Sequence, residues 1–115
     1  MEIIKNYLEA WNTTDAAARR ALLQEVWAED GTYTDPLADV AGVDGIDAVI
    51  AAVQERFAGL VFTLGGDVDA HHGLARFTWH LGPEGGEALV VGFDVAVIED
   101  GRIRHVLGFL DKVPA

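Results

Sequence analysis

Asp35 stands between the strand-like triplet Thr32-Tyr33-Thr34 and Pro36, in the stretch TYTDPLAD. An aspartate in that place either starts a turn or serves as a proton acceptor at a pocket mouth, aimed by the rigid proline that follows. A second acid, Asp94, lies within EALVVGFDVAVIE, where its same-face neighbours on a strand are Val90, Gly92, Ala96 and Ile98. A carboxyl among apolar side chains loses hydration, which disfavours its charged form and raises its pKa. The plainer alternative is an edge strand with Asp94 facing outward or pairing with a basic residue. Tyr7 sits in the middle of an apolar stripe formed by Ile3, Ile4, Leu8 and Trp11. Its phenol keeps its proton at neutral pH and can donate a hydrogen bond, although a tyrosine on such a helix also serves simply as core. Moving a proton from a carbon beside a carbonyl needs a base and donors for the oxyanion that forms. An ionised aspartate, a neutral one and a phenol would satisfy both needs if they shared one hollow.

The elements that would bring them together are readable from periodicity. Residues 3–11 repeat at helical spacing, and NTTD then offers Thr13, Thr14 or Asp15 as the cap of a second helix. That helix, AAARRALLQEVWAED, is expected to turn Ala18, Leu22, Leu23, Val26 and Trp27 inward and to stop at Gly31. TYTD reads as a short strand, and LADVAGVDG as a loop. Asp44 is expected to cap a third helix whose inner face is Ile46, Val49, Ile50, Val53 and Phe57. From Val61 the period changes to two. VFTLGGDVDA reads as a strand with a bulge at Gly65-Gly66, and HHG as a turn. LARFTWHL places Ala75, Phe77, Trp79 and Leu81 on one face, and GPEGG reads as a loop. EALVVGFDVAVIE and RIRHVLGFLD read as strands joined by an Asp100-Gly101 hairpin. Three helices, a tucked-in strand and about four antiparallel strands make a single α+β domain over residues 1–115: a curved sheet wrapped around helices with an internal pocket.

Bulk composition removes several function classes. The chain has 115 residues, 8 basic and 19 acidic, for a formal charge of −11. Such a charge repels phosphate backbones and anionic bilayers, so neither nucleic acid nor membrane is an expected partner. With half the residues hydrophobic and no cysteine, the chain can build a core, but it has no thiolate chemistry and no cysteine metal site. The lack of cysteine and of a signal-peptide pattern in MEIIKNYLEAW fits a cytoplasmic location.

Several motifs together carry a resemblance: YLEAWNTTD, WAEDGTYTDP, GIDAVIAAV, GFDVAVIEDGRI and the closing FLD. They are similar to the nuclear transport factor two-like superfamily, including the SnoaL-like proteins and the ketosteroid isomerases, and span nearly the whole chain. The resemblance implies a cone-shaped, cystatin-like roll. Its isomerase motif falls on Tyr7, Asp35 and Asp94, which implies Asp35 as base and Tyr7 with a neutral Asp94 as oxyanion donors. It implies a cofactor-free isomerase-like enzyme acting on a small hydrophobic carbonyl compound. The alternatives are a non-catalytic dimeric ligand-binding protein and a polyketide cyclase or dehydratase of the same fold.

Trp27, Phe77, Trp79, Val106 and Leu110 are the expected apolar walls of the substrate site. The resemblance places Val106, Gly108 and Leu110 in the pocket and His105 outside, although a bulge could reverse His105. A His105–Asp35 pair would then suit dehydration or cyclisation. His71 and His72 read as an exposed turn pair, and His80 faces away from Phe77 and Trp79. An Asp-Arg-Asp epoxide hydrolase arrangement is excluded because Gly108 stands where its last-strand aspartate is expected. No residue cluster suggests a metal. With Asp94 facing in, Leu89, Val91, Phe93, Val95 and Val97 face out, and so apolar a face predicts a homodimer through the sheet.

Overall fold

A computed structural model describes residues 1–114. Three helices, α1 (Glu2–Asn12), α2 (Ala16–Val26) and α3 (Gly42–Arg56), pack against one face of a seven-stranded sheet. The strands are β1 (Trp27–Asp35), β2 (Ala38–Ala41), β3 (Val61–Leu64), β4 (Asp69–His71), β5 (Leu74–Gly82), β6 (Val90–Glu99) and β7 (Arg102–Lys112). Their order is β2-β1-β7-β6-β5-β3, with β4 also paired to β5. All neighbours are antiparallel except β1 and β7, whose parallel pairing brings the Asp35 strand beside the last strand. The α+β expectation and the curved, unclosed sheet agree with this architecture.

Three boundaries differ from expectation. The second helix ends at Val26, because Trp27 already takes an extended conformation (φ −98°, ψ 145°) and opens β1. Gly31 therefore lies within a strand and does not stop a helix. A Cβ there would come within 2.7 Å of the Trp27 indole, so the missing side chain makes room for that ring. The segment expected to be a loop contains β2, which pairs with β1 from Asp35↔Ala38 to Thr32↔Ala41. The Asp35-Pro36-Leu37 corner is thus a hairpin turn. VFTLGGDVDA is divided at its glycines into β3 and β4, both paired with β5.

The caps and inner faces also carry corrections. Asp15 caps α2 by accepting from the Ala18 amide at 2.9 Å. Asp44 sits in the first turn of α3, after an uncapped start at Ala41. On α2 the buried position is Arg19 in place of Ala18. Its guanidinium is satisfied by Asp47 at 2.6 Å, Gln54 at 2.9 Å and the Thr13 carbonyl at 3.2 Å. This buried, paired cation ties α2 to α3, as burial of a charge requires.

The core lies between helices and sheet, around Ile4, Leu23, Ile46, Ile50, Ala75, Leu81, Ala96 and Ile103. One of two register shifts between β6 and β7 falls between Ile103 and His105, whose β6 partners are Ile98 and Val97. The extra residue, Arg104, turns Ile103 inward and leaves His105 on the outer side, where its Nδ1 lies 2.7 Å from Thr32 Oγ1. Among the described residues, no helix is long and apolar enough to cross a membrane.

Candidate functional site

A cavity of about 460 Å³ opens between the helices and the inner sheet face. Its polar walls are Tyr7, Tyr33, Asp35, Asp94 and Arg56; the remainder is mainly aromatic and aliphatic, including Trp11, Phe62, Trp79 and Leu110. Tyr7, Asp35 and Asp94, nominated from widely separated parts of the chain, therefore line one space.

Tyr7 reaches it from α1. Its ring is held by Trp11, Trp27 and Phe77, with centroids at 6.4, 6.2 and 5.8 Å. Its hydroxyl donates to Asp94 Oδ2 at 2.9 Å. Asp94 is delivered by the centre of β6, between Phe77 on β5 and Gly108 on β7, and is only 2 % exposed. Its other oxygen, Oδ1, is buried and has no hydrogen-bond partner among the described residues. The Trp79 indole is near the carboxyl, but no donor completes a bond to Oδ1. Burial pushes the Asp94 carboxyl up to about 6; the Tyr7 hydroxyl and the Trp79 indole pull it down, and the Asp35 charge adds to the rise. Burial, followed by the neighbouring Asp94, raises the Tyr7 phenol well above its ordinary value, so it stays a donor.

Asp35 is held differently. Its Oδ1 accepts the backbone amides of Leu37 and Ala38, each at 2.8 Å. Its Oδ2 accepts the Tyr33 hydroxyl at 2.6 Å. The two sequence readings of this residue are therefore compatible: Asp35 closes its own turn and also faces the cavity. Tyr33 is buried, and that burial together with the negative charge of Asp94 and its bond to Asp35 drives its pKa upward. Alternation along β1 already puts Tyr33 two residues from Asp35 and on the same face.

Gly108 lies between the two acids. A Cβ on it would sit 2.8 Å from Asp94 Oδ1 and 3.4 Å from Asp35 Cβ. Gly92 serves Trp79 similarly, since a Cβ there would penetrate the indole at 2.0 Å. Absent side chains at two inward strand positions thus make room for the acid and the indole.

Of the expected apolar walls, Trp79 and Leu110 border the cavity. Trp27, Phe77 and Val106 do not; they are buried below it. Trp27 and Phe77 support the Tyr7 ring, and Val106 is locked between Tyr33 on β1 and Ala96 on β6. The residues not anticipated include Trp11, Tyr33, Leu37, Arg56, Phe57 and Phe62. Trp11 lies one helical turn beyond Tyr7 and was legible from spacing. Arg56, Phe57 and Phe62 come from the end of α3 and the start of β3, whose approach to the cavity is set by tertiary packing. His71 and His72 are an exposed pair with ring nitrogens 3.1 Å apart.

Comparison with known proteins follows the same outline. Residues 4–106 match the SnoaL-like domain family. No curated protein matches the chain. Among solved structures, a SnoaL-like family protein from Agrobacterium tumefaciens str. C58, named as a candidate isomerase, is 41 % identical with a TM-score of 0.90, covering 96 % of this chain and 95 % of that one. A protein from Sinorhizobium meliloti named as a candidate polyketide cyclase is 21 % identical with a TM-score of 0.74, covering 94 % of each chain. One from Kribbella flavida DSM 17836, named as a candidate ketosteroid isomerase, is 18 % identical with a TM-score of 0.73, covering 99 % of this chain and 78 % of that one. At those lower identities the last two bear on the fold alone. The match over residues 4–106 and the shared architecture establish that the chain belongs to the SnoaL-like domain family of the nuclear transport factor two-like superfamily.

Proposed function

We propose that the protein is a cofactor-free, isomerase-like enzyme that moves a proton next to a carbonyl of a small hydrophobic substrate. The observation that carries this reading is the unequal treatment of two acids in one apolar cavity: Asp35 takes three hydrogen bonds, while Asp94 is sealed in with one bare oxygen. Three donors directed at Asp35 suit a carboxylate. Burial with one free oxygen suits a carboxylic acid that keeps its proton up to about pH 6.

In the proposed step Asp35 removes a proton from the carbon beside the carbonyl. The C–H electron pair forms a C=C bond, and the carbonyl π pair moves onto oxygen. Protonated Asp94 and the Tyr7 hydroxyl, which can rotate from Asp94 toward the ligand, donate to that oxyanion. Asp35 then returns the proton to a different carbon, so no external acid or redox partner is consumed. Trp11, Phe62, Trp79 and Leu110 exclude water and favour a flat or hydrophobic substrate. Exchange of solvent deuterium into a model β,γ-unsaturated ketone tests the proposal: wild type catalyses it and Asp35→Asn does not.

The outer sheet face supports a second element of the proposal, a homodimer. Phe93 pairs across strands with Phe109, and Val95 with Leu107. Leu107 and Phe109 are 46 % and 59 % exposed in the single chain. A contiguous apolar patch of this kind is best covered by a second copy.

A further inference from the structure

Arg56 is the one basic residue among the cavity walls, and among the described residues it forms no ion pair. Acids outnumber bases 19 to 8 in this chain, yet Arg56, like Lys5 and Arg102, pairs with none among the described residues. Arg19, Arg20, Arg76 and Arg104 each hold a carboxylate. Arg56 is exposed at the cavity wall and forms no hydrogen bond or ion pair with Asp35 or Asp94. Its guanidinium lies over the Phe57 ring at 5.7 Å from the centroid, and Phe57 is itself part of the wall. Stacking on an aromatic face holds the planar fork while leaving its N–H donors free. Among the described residues the cavity therefore carries an unpaired cation apart from its two carboxylates and two phenols, with mainly apolar surface as the rest of its lining.

We infer that Arg56 is a specificity residue for an anionic group, and that the substrate class is an apolar carbonyl compound bearing a carboxylate or similar oxyanion at the end remote from the reacting carbon. This rests on the cavity being the ligand site proposed above and adds the ligand's second polar end. The chain's net charge of −11 opposes anions at long range, but that field is screened over about 10 Å at ordinary ionic strength. Inside the mouth, the adjacent guanidinium decides, and it matches a carboxylate's two oxygens in a way a lysine ammonium does not.

The test is binding, so it does not depend on turnover. Calorimetric titration at neutral pH and ordinary ionic strength compares 2-naphthylacetate with 2-naphthylacetamide, which share one skeleton and differ in charge. Wild type is expected to favour the acid by about fivefold, the scale of a partly exposed ion pair. High salt shrinks the preference, Arg56→Lys keeps part of it, and Arg56→Gln abolishes it while still binding the amide. A melting curve checks that Arg56→Gln is folded; because glutamine loses the helix-end charge interaction and the stacking on Phe57, a change of a few degrees is expected. Equal affinities in wild type, a preference that survives Arg56→Gln, or no binding of either probe would each overturn the inference. A protein that shows the charge preference but exchanges no ketone proton removes the catalytic proposal and leaves the assignment of Arg56 standing.

Discussion

The Tyr7 hydroxyl on α1 donates to Asp94 Oδ2 on β6 across 2.9 Å, joining residues 87 positions apart. This bond closes the inner end of the cavity and gives each partner a defined role. Asp94 gains a hydrogen-bond donor, and the Tyr7 ring is packed among Trp11, Trp27 and Phe77 while its hydroxyl proton can still turn.

Removing that donor separates structure from chemistry. Tyr7→Phe keeps the ring among Trp11, Trp27 and Phe77 but leaves both Asp94 oxygens without a full donor. Stability should fall by about 1–2 kcal/mol, the cost of an unsatisfied buried group. Because the Tyr7 bond lowers the Asp94 pKa, its loss should raise that pKa further. Urea melts measure the first effect, and carbon-13 titration of the Asp94 carboxyl measures the second.

The raised pKa of Asp94 has a defined sign in stability. The unfolded carboxyl ionises near its model value of 3.8, and the folded one near 6. Asp94 therefore contributes most below pH 4, and the contribution is lost as pH rises through the interval to 6. The accumulated loss is about 3 kcal/mol. Asp94→Asn cannot ionise and still accepts from Tyr7. It should be more stable than wild type at pH 8 by up to about 3 kcal/mol, and this advantage should vanish at pH 4. Paired denaturant melts across the range check it; a constant difference at all pH values would contradict the assignment.

The same ionisation sets the rate. If neutral Asp94 is an oxyanion donor, kcat/KM falls as pH rises through about 6, the point at which burial sets its ionisation. Asp94→Asn keeps an N–H donor at every pH, so its profile should lose that limb even if its rate is lower. A limb that persists in Asp94→Asn would assign the titration to another group.

Gly108→Ala tests whether the two acids depend on a missing side chain between them. The added methyl meets Asp94 Oδ1 at 2.8 Å, and an aspartate side chain can swing away from it. The stability cost should be roughly 1–3 kcal/mol, whereas deuterium exchange should fall much further because Asp94 is displaced. Melting curves and exchange rates on the same preparation show whether the two losses are disproportionate.

Phe109→Asp places a charge in the middle of the exposed outer face without touching the cavity. Light scattering after gel filtration should show a dimer for wild type and a monomer for the variant. A wild-type monomer at micromolar concentration would contradict the proposed homodimer.

Much of this arrangement is legible in the sequence because it follows simple periods. Alternation along β6 turns Asp94 inward with Gly92 and Ala96, and helical spacing puts Tyr7 beside Trp11. The corner at Asp35 is marked by its proline. What was not legible depends on packing between distant elements. Trp27 begins a strand where helical periodicity continues to favour a helix, because its indole lies over Gly31 and its backbone joins β7. Ala38–Ala41 forms a strand only by pairing with β1, and its own residues carry weak strand propensity. Phe77 and Val106 share the inward face with Trp79 and Leu110, but alternation cannot say how deep each lies. Helix α1 fills the space over Phe77, and β1 with β6 encloses Val106. Arg56 and Phe62 reach the cavity only because α3 and β3 end beside it.

The central claim is that Asp35 acts as the base of a proton transfer beside a carbonyl. The most direct measurement is NMR-detected exchange of solvent deuterium into a β,γ-unsaturated ketone, for wild type and Asp35→Asn, with circular dichroism confirming that both are folded. The account predicts exchange well above buffer for wild type and a loss of about 10²–10⁴-fold in the variant. Equal rates in the two proteins, or a wild-type rate no faster than buffer, would contradict it.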